Sequence, residues 1–303
     1  MTLDDSNFSK ITGIEKIVVA TTGTGAQTIT TGASFDAAFK AVGVDLRTTS
    51  TTGAINIGMN SFTGAATLTT TSTTGAQTIV TGSGVATVTA TSTTGAQTIT
   101  TGTGVATVIA TSTTGAVTVT TGAGADVVTL TTTDTAGNVI TTNAGNDTIT
   151  IIASGTAVST VGNTITSGLG ADTITLAADA SIDTIVIANT DSGITVATAD
   201  SITGFTAAND ALKMGTAGVA TAGTGTYVEA AAAVADFAAA LTAANTALAT
   251  LAGTSAATEL YSFQFDATKG YLFDDIDGNG TADQVVVLVG ITDVTIAAAD
   301  MIA

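Results

Sequence analysis

The chain has 303 residues and a formal net charge of −18 at pH 7, and it contains no histidine, cysteine, tryptophan or proline. Without histidine and cysteine it lacks the commonest general base, the thiol nucleophile and the usual zinc ligands, so we do not expect an enzyme. Its 24 acidic and 6 basic residues disfavour nucleic acid as a partner and favour hard divalent cations such as Ca²⁺. No segment reads as a membrane-spanning helix, so membrane insertion is not expected.

The first segment, residues 1–50, is predicted to be an N-terminal strand and capping segment with an insertion at 34–45. The insertion places Phe35, Phe39 and Val42 at helical spacing, which predicts a short helix that covers the bottom coil. The first ten residues have neither the basic nor the apolar region of a secretory signal. If the protein is exported, the address must therefore lie elsewhere in the chain.

Residues 51–200 carry two interleaved series of apolar residues, separated by steps of mostly 9 and then 11 residues. Such a count is typical of a coil that buries its apolar side chains against the coils above and below it. The sequence predicts an all-β fold: a right-handed two-sheet β-solenoid, or β-roll, of about 20 residues per coil, followed at 201–303 by a small C-terminal α+β cap region. The two series are Leu68, Val88, Val108, Val128, Ile149, Ile174 and Ile194, and Ile57, Ile79, Ile99, Val119, Ile140, Ile165 and Ile185.

The residue two positions before each inward side chain changes along the chain. In the first series it is alanine in the early coils and then Asp126, Asp147 and Asp172, whereas in the second it includes Gln77, Gln97, Asn138 and Asn163. Stacked carboxylates repel one another by about 3–4 kcal/mol at one coil spacing and an effective dielectric constant of about 20. We therefore expect a cation between them, and a ladder of side-chain amides in the early coils.

The turns that carry these aspartates resemble the glycine-rich nonapeptide repeat of RTX proteins. In that family, glycine carbonyls and the aspartate bind calcium between adjacent turns of a β-roll, and the resemblance covers roughly residues 120–200. It departs from the pattern at Asn143, and at Asn138 and Asn163 on the opposite edge. The metal ligands that it implies are Gly122, Gly124, Asp126, Gly145, Asp147, Gly168, Gly170 and Asp172.

The C-terminal part contains a second candidate calcium site. Asp275, Asp277, Asn279 and Asp283 occupy positions 1, 3, 5 and 9 of a loop with glycine at position 6, as in the start of an EF-hand loop. Position 12 is Val286 rather than glutamate, so the expected affinity is modest. Around this loop we predict a helix over 228–252 and strands over 260–265, 270–273 and 285–289. Residues 200–212 resemble the segment that closes RTX rolls, and the tail is similar to uncleaved type I secretion signals.

These patterns predict a secreted, calcium-dependent structural protein that assembles with itself into an S-layer, a filament or a biofilm matrix outside the cell or at its surface. Cell-surface polysaccharide is a further candidate partner. Two alternatives stay open. Outward Thr-x-Thr pairs also resemble the arrays of ice-binding solenoids, although they are interrupted at Val80 and Ile109. The chain could instead be the C-terminal piece of a large RTX adhesin.

Overall fold

A computed structural model of the chain describes residues 1–11, 17–133, 135–153, 161–177, 181–207, 209–215, 226–255, 257, 259–293, 296, 297, 300 and 301. The described residues form two compact units, Met1–Asn163 and Thr164–Ala303. The functional division predicted at residues 50 and 200 is a separate matter and stays a prediction. Residues 294, 295, 298, 299, 302 and 303 of the proposed secretion signal lie outside the described residues.

The first unit is a two-sheet β-solenoid, because its strands alternate between a sheet of short strands and a sheet of long ones. The short-strand sheet consists, in spatial order, of β1 (Thr2–Leu3), β3 (Gln27–Thr30), β5 (Ile55–Gly58), β7 (Gln77–Val80), β9 (Gln97–Thr100), β11 (Val117–Thr120) and β13 (Val139–Thr141). The long-strand sheet consists of β2 (Ile17–Gly23), β4 (Val44–Ser50), β6 (Ala66–Ser72), β8 (Ala86–Ser92), β10 (Ala106–Ser112), β12 (Val127–Thr132) and β14 (Thr148–Ala153).

From β4 and β5 upward the strand register repeats at a nearly constant sequence spacing, whereas below them Ile17 pairs with Val44 at a spacing of 27 and Gln27 with Ile55 at 28. Ala86 pairs with Ala106 and Gln77 with Gln97, which is a repeat of 20 residues, whereas Val44 pairs with Ala66 at a spacing of 22. Every described pairing among these strands is parallel, with neighbouring coils about 4.8 Å apart. The predicted fold class, an all-β solenoid with a small helical C-terminal region, is confirmed.

The core of the first unit is formed by the two predicted apolar series. All ten of their members in this unit, from Ile57 to Ile149, are at most 2% exposed. Burying each such side chain contributes about 1.5–3 kcal/mol relative to leaving it in water. The glutamines do not form the expected amide-to-amide ladder. Gln77 and Gln97 instead donate from Nε2 to the carbonyl oxygens of Thr91 (2.6 Å) and Thr111 (2.7 Å).

The bottom of the first unit is closed by a 3₁₀ helix (Asp5–Phe8) and by α1 (Ala33–Phe39). Phe35 packs against Phe8 and Phe39 with ring centroids 4.8 Å apart, and against Phe62 at 5.3 Å. The short helix that we predicted in the insertion is therefore present. The predicted extension of this helix to Val42 is wrong: Val42 lies beyond the end of α1 and is 42% exposed.

The second unit begins with parallel coils and continues into a mixed sheet, in which β21, β22 and β23 are antiparallel to one another. Its short-strand sheet is β15 (Thr164–Thr166), β17 (Thr184–Ile187) and β19 (Ala211–Met214). Its other sheet has the order β16 (Thr173–Thr175), β18 (Asp200–Thr203), β23 (Gln284–Val289), β22 (Lys269–Asp275), β21 (Leu260–Phe265) and β20 (Tyr227–Glu229). Ile174 pairs with Ile202 rather than with Ile194, which lies in a turn and is only partly buried. Ile194 is therefore not the next member of the first series, because the chain makes an additional loop before β18.

One face of the mixed sheet is covered by α2 (Phe237–Ala252). Ala240, Ala244 and Leu248 of the helix pack in one cluster with Phe273 and Val285. The helix begins at Phe237 and not near 228 as predicted. Asp236 is its N-cap and accepts a hydrogen bond from the Ala239 N–H at 2.9 Å, while residues 227–229 form β20.

Candidate metal centre

The predicted glycine and aspartate ligands lie in turns between the two sheets. Gly122, Gly124 and Asp126 lie between β11 and β12, and the corresponding later turns carry Gly145 with Asp147, and Gly168 and Gly170 with Asp172. Asn143, the position where the repeat lacks its first glycine, has φ +66°, a left-handed conformation that asparagine adopts more readily than most residues. Asparagine in place of the first glycine therefore still allows the turn before Asp147 to form.

The turns stack too closely for side chains on their glycines. A Cβ atom on Gly122 would lie 2.0 Å from the carbonyl oxygen of Gly102, one coil earlier. Gly145 has φ +152°, and a Cβ there would lie 2.1 Å from the carbonyl oxygen of Gly124. These glycines thus lie directly against carbonyl oxygens of the preceding turn, and oxygen is the donor atom that a hard cation prefers.

In the first unit, each aspartate binds the backbone of the coil before it. Asp147 Oδ1 accepts from the Asp126 N–H at 2.7 Å, and Asp126 Oδ1 accepts from the Ala106 N–H at 2.6 Å. Both side chains are 1% exposed. Asp126 Oδ2 has no hydrogen-bond partner among the described residues. A buried carboxylate oxygen without a donor fits a bound cation, because desolvating it unpaired costs several kcal/mol.

The second unit contains the same arrangement, with aspartates that sequence reasoning did not assign. Asp200 Oδ1 accepts from the Asp172 N–H at 2.9 Å, and Asp210 Oδ1 accepts from the Asp183 N–H at 3.1 Å. Asp172 and Asp200 are buried. A signal was present, because Asp147 and Asp172 precede Thr-Ile-Thr and Asp200 precedes the similar Ser-Ile-Thr. The 28-residue spacing between Asp172 and Asp200 concealed the relation.

The opposite edge of the first unit is a neutral ladder. Asn138 Oδ1 accepts from the Val117 N–H at 2.9 Å, and Asn138 Nδ2 donates to Asn163 Oδ1 at 2.8 Å. Asparagine thus accepts the same hydrogen bond from the preceding coil as aspartate does. Its Nδ2 also donates to the next asparagine of the ladder, and the side chain carries no charge that a cation must neutralise. We expect no calcium requirement at this edge.

The loop between β22 and β23 brings together three of the four residues predicted to form the EF-hand-like site. Carboxylate oxygens of Asp275, Asp277 and Asp283 lie within 4.8 Å of one another. Asp275 is fully buried and the other two are exposed. Asn279 is exposed: its backbone N–H donates to Asp275 and Asp277, and its Oδ1 accepts from the Thr281 N–H at 2.9 Å. Among the residues that the structure describes, no other group of three acidic side chains converges in this way.

The backbone of this loop is ordered around Asp275. Its Oδ2 accepts from the Gly280 N–H at 2.7 Å and its Oδ1 from the Asn279 N–H at 3.1 Å, while Gly278 and Gly280 have φ of +69° and +89°. Burial raises the pKa of Asp275, and these N–H donors oppose that shift. Position 12, Val286, is buried in β23. The donor set therefore fits a hard divalent ion held by carboxylates, without a bidentate glutamate.

A further acidic residue in this region, Asp274, was not predicted. It is fully buried, and its Oδ2 accepts from Gln284 Nε2 at 2.8 Å, across the β22–β23 pair. Burial raises the pKa of Asp274 to about 8, with a contribution from nearby Glu259. Its burial depends on which strands pair with β22, and that pairing is not visible in the local sequence.

The fold defines a β-solenoid protein with acidic sites that could hold metal ions. The chain matches no protein-family model, and a search of curated proteins finds no similar sequence. In the parts of the chain that the structure describes, no helix has both the length and the apolar character needed to cross a membrane.

Proposed function

We propose that the protein is a secreted structural protein that binds calcium, folds fully outside the cell, and assembles with copies of itself into a surface layer, filament or matrix. The observation that carries the proposal is the buried carboxylate of Asp126, stacked on that of Asp147, with one oxygen that has no donor. A stack of coils can serve as the repeating element of a larger assembly, because its faces repeat from coil to coil and can contact other copies of the chain.

Calcium connects folding to export in this proposal. At low calcium concentration the stacked carboxylates repel one another by about 3 kcal/mol per adjacent pair, at an effective dielectric constant of about 20. At millimolar calcium, an ion that binds only the folded coils stabilises them by about 2.7 kcal/mol when its concentration is 100 times its Kd. The similarity of the C-terminal tail to type I secretion signals supports the extracellular location.

The test is to compare the purified protein in calcium and in EGTA. We expect ordered assemblies in negative-stain images and a high sedimentation coefficient in millimolar calcium, with reversal to monomers in excess EGTA. A monodisperse monomer under both conditions and at every protein concentration would contradict the proposal.

Ice binding is a second candidate, supported by one feature of the long-strand sheet. Outward threonines of β6 and β8 form in-register rows of three: Thr67, Thr69 and Thr71 pair with Thr87, Thr89 and Thr91. Ile109 and Val127 interrupt these columns in the next two coils. Thermal hysteresis of a monomeric solution at low temperature distinguishes this function from self-assembly.

A further inference from the structure

We propose that the outer face of the long-strand sheet, from β6 to β14, is the surface through which a second copy of this chain packs. This face is called the threonine face below. The inference rests on the proposed self-assembly and adds the surface that carries it. Its outward positions are alternate residues of the five strands, and all of them are threonine except Ile109, Val127 and Ile152.

The distribution of charge favours this surface. No charged residue occurs between Arg47 and Asp126, although the chain as a whole has a net charge of −18. Asp126 and Asp147, which directly precede β12 and β14, are each 1% exposed. A second copy can therefore approach the faces of these coils without bringing carboxylates together, whereas the rest of the chain carries most of the negative charge. Contact through the threonine face places no like charges opposite one another.

Exposed apolar side chains are concentrated on the same surface. Ile109 and Val127 are each 40% exposed, Ile152 is 45% exposed, and Val85 and Val105 extend the face at the starts of β8 and β10. Val127 pairs laterally with Thr107, and Ile109 with Thr129, so these side chains are close neighbours on the sheet. A patch of this kind on a flat sheet is typical of a contact surface rather than of a surface that faces only water.

The threonine face offers a larger contact area to a second copy than the short-strand sheet does. Five strands of about seven residues, at about 4.8 Å spacing and about 3.3 Å per residue, present about 500 Å² per copy. The strands of the other sheet have four residues or fewer over the same coils, and so present about half that area. A face-to-face contact would bury about 1,000 Å² in total, which is at the lower limit for a specific interface. Assembly is therefore expected to depend steeply on protein concentration.

The test uses lysine substitutions on the two sheets of neighbouring coils. Ile109→Lys lies at the centre of the threonine face, and Thr89→Lys lies beside it on β8. The matched control is Thr98→Lys, an exposed outward position on β9 of the short-strand sheet. Each variant is examined by sedimentation velocity over a range of concentrations in millimolar calcium, with the circular dichroism spectrum and Tm as the measure of folding.

We expect Ile109→Lys and Thr89→Lys to raise the concentration at half-assembly by at least about tenfold, and Thr98→Lys to assemble like the wild type. If the wild type assembles and both threonine-face variants do so equally well, this inference is overturned while the proposed function stands. The same holds if only Thr98→Lys disperses the assembly. If the wild type does not assemble at all, the proposed function fails and this inference fails with it.

Discussion

Replacing Asp126 by asparagine separates the effect of calcium from the effect of the hydrogen bond at one position. Asparagine keeps an oxygen that can accept from the Ala106 N–H, so the bond of 2.6 Å between the coils is retained in kind. The substitution removes the charge on the buried oxygen that has no donor. In EGTA, it relieves a repulsion from Asp147 of up to about 3 kcal/mol at an effective dielectric constant of about 20.

In calcium, the effect of Asp126→Asn on stability has the opposite sign. The variant loses the stabilisation that a bound ion gives, which is about 2.7 kcal/mol at a calcium concentration 100 times the Kd. We therefore expect Asp126→Asn to have a higher Tm than the wild type in EGTA and a lower Tm in calcium, in thermal unfolding followed by far-ultraviolet circular dichroism.

The matched control lies on the neutral edge of the same unit. Asn138→Ala removes the acceptor for the Val117 N–H and leaves that buried donor unsatisfied, at a cost of about 1–3 kcal/mol. This loss is expected to be equal in calcium and in EGTA. An Asp126→Asn variant that differs from the wild type by the same amount in both conditions would refute the reasoning about a calcium ion at the stacked aspartates.

Three further predictions concern other parts of the chain. Asp275→Asn removes a buried carboxylate from the C-terminal loop, so calorimetric titration is expected to show fewer bound calcium ions per chain; an unchanged number would remove this loop from the list of sites. Asp5 accepts from the backbone N–H groups of Phe35, Ser34 and Gly32, which hold its pKa below 3.8. The Tm difference between wild type and Asp5→Asn should be fully present above about pH 5, and should close as pH falls through that lowered pKa. A difference that stays the same as pH falls from 5 into the acid range where the protein unfolds would show that the carboxylate charge is not its cause. Gly122→Ala places a Cβ atom 2.0 Å from the Gly102 carbonyl oxygen and should cost at least about 1–3 kcal/mol, whereas Gly25→Ala, with no atom within 4 Å, should be nearly neutral in the same melts.

The features predicted correctly from the sequence depend on local, repeating patterns. Ile99 and Val108 were predicted to be inward because an alternating strand on each side of a tight turn has one buried face, and both are fully buried. The convergence of Asp275, Asp277 and Asp283 was also predictable, since a loop of nine residues with glycine at the sixth position determines its own conformation.

The features that were missed depend on contacts distant in sequence. Ile202 replaces Ile194 above Ile174, because a loop before β18 breaks the count of residues per coil. The same loop concealed the bond between Asp172 and Asp200. Asp274 is buried because β22 pairs with both β21 and β23. The residue pattern within β22 does not show which strands lie on its two sides.

A cation bound between the carboxylates that stack inside the coils should make the unfolding temperature depend on calcium. We expect the Tm of the wild-type chain to rise continuously with the logarithm of calcium concentration and to return to its starting value in excess EGTA. A Tm that is the same in EGTA and at saturating calcium would contradict it.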